Sequence, residues 1–340
     1  MSLLPNIARA LPAGLLGAAL AATVCAQAPR TSSQKAPPVK DPLAAANAAL
    51  QAGEADKALA LLQPLASSGA GQAEARNLEC RVHYTLQQWD AAIKECEEAV
   101  RLDGQNSDYH LWLGRALGEK ADRASFVSAY SLAKRVRTEF EEAVRLNPRN
   151  ADALADLGEF YKDAPGVVGG GTDKAAGIAA QLDKVDMGRA HELRGRMAEG
   201  SKDYGTAERE FKQAVAVGAH PAFQWVTLAS FYSKRERWAD LDSAVRSMIT
   251  AAARDKHAGV ALFDGASLLT RANRDPALAA KMLEDYLAGE SKTEDAPAFI
   301  ALNRLAKLKE QLGDPASASQ ERAQALALAH EFKPSQDAKH

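Results

Sequence analysis

Aromatic residues are scarce in this 340-residue chain, at 6%, and no stretch alternates β-branched with polar residues over the length of a strand. A sheet-built domain is thereby excluded and an all-α fold expected. Neither sign of charge is in excess: 42 Lys and Arg stand against 44 Asp and Glu, a formal net charge of −2. Such a surface is not built to neutralise a phosphate backbone, so nucleic acid is excluded as a partner. Cysteine is down to three residues, Cys25, Cys80 and Cys96, and none forms a CxxC redox pair. The signatures of catalysis are missing as well. Histidines at 83, 110, 191, 220, 257, 330 and 340 fall in no HExxH and no paired ligand spacing, and no serine sits in GxSxG. Neither an enzyme, nor a metal, nor a cofactor is expected.

What the chain does have is a period. Cys80 and Gly114, Gly195 and Ala229, and Tyr204 and Trp238 are each 34 residues apart, the spacing of stacked helix-turn-helix units. Paired antiparallel helices need small residues where their backbones approach. Positions 80, 114, 158, 195, 229 and 306 supply Cys, Gly or Ala, while Trp112, Phe140, Phe211 and Trp225 are large enough to fill the wider gaps. An Ala-rich bundle matching by chance is the bland alternative, and recurrence at several positions counts against it.

One unit carries Gly195, Tyr204, Ala207, Phe211 and Ala214, and the next Trp225, Leu228, Ala229, Tyr232 and Trp238. The chain resembles the tetratricopeptide repeat family over about residues 43 to 331, most closely from 76 to 252. The resemblance implies a right-handed superhelical solenoid of about eight antiparallel helix pairs that binds a protein or peptide and is not an enzyme.

Read along the chain, residues 1–26 look like a secretory signal. Arg9 precedes the apolar stretch 11–26, LPAGLLGAALAATVCA, and Val24 and Ala26 suit a cut before Gln27. Two other readings stay open, a lipid on Cys25, which Val24 before it disfavours, and an uncleaved anchor; only through this segment would the chain meet a membrane. Export to the periplasm or cell envelope is the expectation. Residues 27–40, rich in Pro and Ser, read as a flexible linker, 41–333 as the repeat domain, and 334–340 as a disordered tail. Cys80 and Cys96, on the two helices of one pair, are either bridged, as an oxidising compartment favours, or two small buried thiols.

Two intervals break the period. Gly114 to Gly158 spans 44 residues, with a surplus around 121–138 that reads as a lengthened second helix because Phe126, Ala129, Leu132, Ala133, Val136 and Phe140 step by three and four. Gly158 to Gly195 spans 37, the surplus lying in APGVVGGGTDKA. That run is not a Walker loop, since Thr172-Asp173-Lys174 follows the last glycine and Asp173 opposes an anion. It reads as a bent loop with Thr172 as N-cap, with a lesser reading as a partner-binding loop of Val167, Val168, Gly169, Gly170 and Gly171. Beyond Arg254 the matches weaken, and the last helix is expected to cap an open end.

The family binds along the concave face of its first helices. Outward positions there are Arg81, Tyr84, Asp108, Leu111, Arg115, Asp152, Glu159, Arg189, Arg196, Phe223, Val226 and Ser230. Their mixed charge suits an amphipathic helix or extended peptide. The Lys, Arg and Asn set with which family members grip a C-terminal carboxylate does not recur here. Rival readings are an envelope assembly factor acting through its convex face or the long helix at 125–146, and a small-molecule site or enzyme at the glycine loop.

Overall fold

The computed structural model describes residues 41–66, 71–289 and 292–332; the expected signal, linker and tail at 334–340 lie outside them. Sixteen α-helices occur among the described residues, joined in eight successive pairs: α1 (Pro42–Gln51) with α2 (Ala55–Leu62), α3 (Gln72–Thr85) with α4 (Trp89–Leu102), α5 (Ser107–Ala121) with α6 (Phe126–Leu146) and α7 (Ala151–Asp163) with α8 (Thr172–Leu182). The second half repeats the scheme with α9 (Met187–Gly200) and α10 (Tyr204–Val217), α11 (Pro221–Ser233) and α12 (Trp238–Ala252), α13 (Val260–Arg271) and α14 (Pro276–Ala288), and α15 (Ala298–Gln311) and α16 (Pro315–Leu328). The chain is an all-α solenoid. No described helix is long and apolar enough to cross a membrane.

Six pairs turn in the same way. A left-handed residue stands two or three positions before the second helix: Gly53, Gln87, Lys202, Glu236, Asn273 and Gly313. The next amide then reaches back to a carbonyl in the last turn of the first helix, as Gln88 N to His83 O, Asp203 N to Ala198 O and Arg237 N to Tyr232 O. This bond satisfies a carbonyl that a helix end leaves orphaned. The two exceptions are the pairs with surplus length. The first surplus is taken up by α6, 21 residues long. In the other, a short 3-10 turn at Gly166–Val168 leads into α8, and Gly171, not Thr172, holds the cap position, so Thr172 is the first helical residue and makes no capping bond.

Small residues sit where the period places them. A Cβ on Gly114 would lie 2.4 Å from the Phe140 ring, and one on Gly195 2.5 Å from that of Phe211. Cys80 and Cys96 hold the equivalent places in the second pair and are joined by a disulfide, with their Cα atoms 5.2 Å apart and no exposed surface. The aromatic that opens a second helix is covered by an arginine from the following unit: Arg123 over Trp89, Arg235 over Tyr204 and Arg274 over Trp238.

Each odd helix from α3 to α11 also touches the next odd one, whereas no even helix makes a comparable contact with the next even one along the chain. The odd helices are therefore the inner layer and the even ones splay outward. After eight pairs the last comes back onto the first. Phe299 and Leu302 of α15, with Ala325 and Ala329 at the end of α16, share one core with Ala46, Leu50, Ala58, Leu62, Leu78 and Val82. A Cβ on Gly53, itself at φ 77, would lie 2.6 Å from the Ala298 amide nitrogen. His330 donates its amide to Asp56 at 3.0 Å across the seam. The expected capping role of the last helix is corrected accordingly, because α16 docks on α2 and leaves no open end. Burial of apolar side chains from both termini drives the closure.

Candidate functional site

Closure turns the concave face into a lumen. A cavity of about 530 Å³ is lined from α3, α5, α7, α9 and α13 and from the turn Lys292–Pro297 between α14 and α15. Arg81, Asp108, Leu111, Arg115, Asp152 and Arg189, half of the expected groove set, converge on it. A hollow of about 750 Å³ beside His220, Trp225 and Arg254 is larger, but it is an open depression at the rim of α11 and α12. The lumen is the more enclosed of the two and brings together more charged groups.

The arginines of the lumen are individually paired. Trp112 lies between two of them, with the Arg81 and Arg115 guanidinium carbons 5.3 Å and 4.8 Å from its ring centre. Arg81 donates through Nε to Glu294 at 2.7 Å, and Arg115 through Nε to Asp156 at 2.6 Å. Arg189 bonds Asp152. Burial works to lower the Arg115 pKa, but the carboxylates of Asp156 and Asp295 outweigh it and hold it above its ordinary value. Arg189 and Arg115 likewise outweigh burial at Asp152 and hold that carboxyl below its usual range.

Two acids are not matched in this way. Asp295 accepts only the Tyr84 hydroxyl, at 3.3 Å, and has no ion pair among the described residues. Burial raises its pKa, and neighbouring Glu294 and Asp156 add to the rise against the pull of Arg115. Asp264 makes no hydrogen bond or ion pair among the described residues; burial first, then repulsion from Asp295, pushes it up to about 7 despite Arg304 and Arg271. Arg304, packed 4.2 Å over the Phe263 ring, is pushed down to about 10, chiefly by burial. Asn77, 3% exposed, also borders the lumen, and its buried Oδ1 has no hydrogen-bond partner among the described residues. No three His, Cys, Asp or Glu side chains gather as metal ligands among the described residues.

The remaining expected residues divide. Tyr84 and Leu111, read as outward-facing, are mostly covered, at 9% and 2% exposed, because both pack into the core between neighbouring units, Leu111 while still bordering the lumen. Glu159 pairs with Arg196 at 3.5 Å and Lys162 at 3.3 Å, and Arg196 keeps 43% of its side chain open. Phe223 and Val226 are half-buried against the second core, and Ser230 is half-exposed on the same helix. The glycine loop divides too. Val167 is 69% exposed, but Val168 is buried in the core, so of the two valines assigned to a partner-binding loop only Val167 is open to a partner. Arg137 lies where a Cβ on Gly169 would go, and a Cβ on Gly170 would strike the Ala164 carbonyl, so these glycines serve close packing. Gly171 holds φ 156, a positive value that side-chain-bearing residues rarely adopt.

Glu294, Asp295, Asp264 and Asn77 were not anticipated as site residues. The only sequence signal was the acidic pair in the segment KTEDAP before α15, which gains meaning only when the ends meet.

No family model matches the chain. Over 142 residues it is 28% identical to Superkiller complex protein 3 of Mus musculus, covering 41% of this chain and 8% of that protein. The chain therefore spans less than a tenth of that curated relative's length. Among solved structures it is similar to a thermophilic TPR protein of Thermus thermophilus, at 18% identity and a TM-score of 0.47, over 56% of this chain and 96% of that one. A tetratricopeptide repeat protein of Parabacteroides merdae aligns over 76% of this chain and 94% of its own, at 15% identity and a TM-score of 0.37.

Proposed function

We propose that the chain is an exported helical-repeat scaffold that holds a protein or peptide segment on its inner face. The observation that carries the reading is the convergence of side chains from four successive inner helices, α3, α5, α7 and α9, on one enclosed polar cavity. Stacked helices fix those groups in register, so a bound segment meets pre-positioned partners and less ordering cost is incurred on binding. Most lumen arginines are internally paired, which leaves exposed polar atoms such as those of Asp108, and the half-buried apolar surface of Phe223 and Val226, as the contact groups. Export rests on the N-terminal pattern and on the Cys80–Cys96 bridge, which suits an oxidising compartment.

The test is affinity capture from native envelope extract by the mature chain beside a double variant, Asp108→Lys with Arg196→Glu. Both positions are exposed, but Asp108 gives up its bond from Asn150 and Arg196 its ion pair with Glu159, so the circular dichroism and melting of the variant are measured beside the native chain to show that it is folded. A protein held by the native chain and lost by the variant supports the reading; equal retention by both overturns it.

A second reading has one specific observation behind it. Phe126 and Val127, at the start of the long outer helix α6, are 82% and 79% exposed. An adjacent apolar pair on the convex side suits docking into an envelope assembly. A protein retained by the inner-face variant and lost by Phe126→Ser with Val127→Ser favours this alternative.

A further inference from the structure

We propose that the inner face carries a seat for an acidic side chain, made by Arg81, Gln51 and Tyr84, and that Glu294 of the chain's own α14–α15 turn occupies it as an internal stand-in for the partner. It rests on the inner-face reading and adds the partner's chemistry and its regulation, since binding becomes the exchange of one carboxylate for another. Arg81 donates through Nε and Nη2 to Glu294, the first bond at 2.7 Å, while its guanidinium is held over Trp112. Gln51 of α1 reaches the same carboxylate at 3.4 Å, and the Tyr84 hydroxyl donates to Asp295 at 3.3 Å. None of these three side chains has another hydrogen-bond partner among the described residues. A largely covered arginine, an amide and a phenol from two helices thus converge on one acidic tip.

The tip is placed as a ligand would be. Four residues suffice to join α4 to α5, α6 to α7 and α8 to α9, but nine separate α14 from α15. Part of that surplus forms a tight turn, in which the Ala296 amide bonds back to the Thr293 carbonyl at 3.1 Å. Its base belongs to α14, where Tyr286 donates to the Ala296 carbonyl and Lys292 to that of Leu287. Its hydrogen bonds to α1 and α3 all run through the two side-chain carboxylates, and no backbone bond joins it to either helix among the described residues. Another carboxylate can therefore replace that of Glu294 while the apolar seam stays intact. Arg81, Glu294 and Asp295 all border the lumen, so an entering acid meets the seat directly. Glu74, Asp108, Asp152 and Asp264 border the same lumen and repel an acid elsewhere, which confines it to Arg81. The exchange leaves Glu294 without its arginine, so the native chain opposes occupation of its own seat, and a partner must add contacts along the inner face.

The test is chemical complementation. Glu294→Ala empties the seat and leaves Arg81 without a carboxylate, whereas Glu294→Gln keeps the shape and removes the charge. Circular dichroism and melting show that each is folded, and the isosteric variant carries the test should the alanine one fail to fold. The mature chain and both variants are titrated calorimetrically with the blocked peptide acetyl-Ala-Glu-Asp-Ala-amide and with its uncharged counterpart, acetyl-Ala-Gln-Asn-Ala-amide. The acidic peptide should bind Glu294→Ala about tenfold or more tighter than the native chain, with Glu294→Gln in between, and the uncharged peptide should not bind. Arg81→Gln added to Glu294→Ala should abolish the gain. Equal binding by the native chain and both variants, no binding by either variant at millimolar concentration, or equal binding of the two peptides overturns the inference and leaves the Arg81–Glu294 pair as a tie of the closed ring alone. A protein captured by the native chain and lost by the inner-face double variant, while the peptide fails on both Glu294 variants, would sink this inference alone. Peptide binding by Glu294→Ala with no captured protein would instead sink the scaffold reading.

Discussion

Removing the disulfide tests the equivalence of the helix pairs. Cys80 and Cys96 close a loop of sequence separation 16, for which the chain-entropy account gives a stabilisation of about 3 kcal/mol. Replacing both by Ala should therefore lower the melting temperature by about 5–8 °C for a domain of this size. Reductant should reproduce most of that loss in the native chain. The structure also specifies a repair. Gly195 and Phe211 occupy the same two places in another pair, also 16 residues apart, with the ring filling the space above the glycine. Cys80→Gly with Cys96→Phe should bury a ring where the bridge was. A buried phenylalanine is worth about 1.5–3 kcal/mol, from which the glycine in a helix subtracts about 1. The repaired variant should then melt between the native and the double-alanine chains and be indifferent to reductant. Thermal denaturation followed by circular dichroism, with and without dithiothreitol, reads all of these. A repaired variant melting below the double-alanine one would refute the equivalence, and no response of the native chain to reductant would refute the stabilising role of the bridge.

Three further outcomes follow from particular contacts. Gly195→Ala drives a Cβ into the Phe211 ring and should cost about 1–3 kcal/mol by overpacking, whereas Gly177→Ala in α8, with open space at its Cβ, should stabilise by about 0.5–1 kcal/mol; chemical denaturation of the two variants checks the contrast. Phe299→Ala, which empties a fully buried place in the seam, should cost about 3–5 kcal/mol and speed amide exchange in α1 and α2 ahead of α9 and α10; uniform exchange across the stack would count against closure. Asp264, held at about 7 against an ordinary 3.8, binds its proton more tightly in the folded chain than in the unfolded one. Stability from this group is therefore full below about pH 4 and falls as pH rises towards about 7, by roughly 2 kcal/mol once screening by lumen water is allowed for. Asp264→Asn should flatten that window in a denaturation series, and an unchanged slope would show that the carboxyl is not strained.

The helix pairs were legible because their cause is local. Backbone approach at Gly114 and Gly195 demands a small residue every 34 positions, and that demand is written in the sequence whatever the rest of the chain does. Past Arg254 the pattern dims for a physical reason: in the seventh pair the close approach falls at Gly265, wedged between Met248 and Met282, 36 residues after Ala229 rather than 34. The inner face was legible only in half. Arg81, Asp108, Arg115, Asp152 and Arg189 follow from helix phase, but Asp264, Asp295 and Asn77 come to line one cavity only when the two ends of the chain meet. That meeting rests on non-local contacts such as Phe299 with the first pair, for which no spacing rule exists. Leu111 and Tyr84 were misplaced because phase gives the direction of a side chain and not the neighbour that covers it.

The most direct measurement places a photo-crosslinking amino acid either at Asp108 on the inner face or at Phe126 on the outer helix, in the exported chain in its native envelope. Adducts to one protein from Asp108, with none from Phe126, are the predicted result. Adducts from Phe126 with none from Asp108 would contradict the account and move the function to the convex surface.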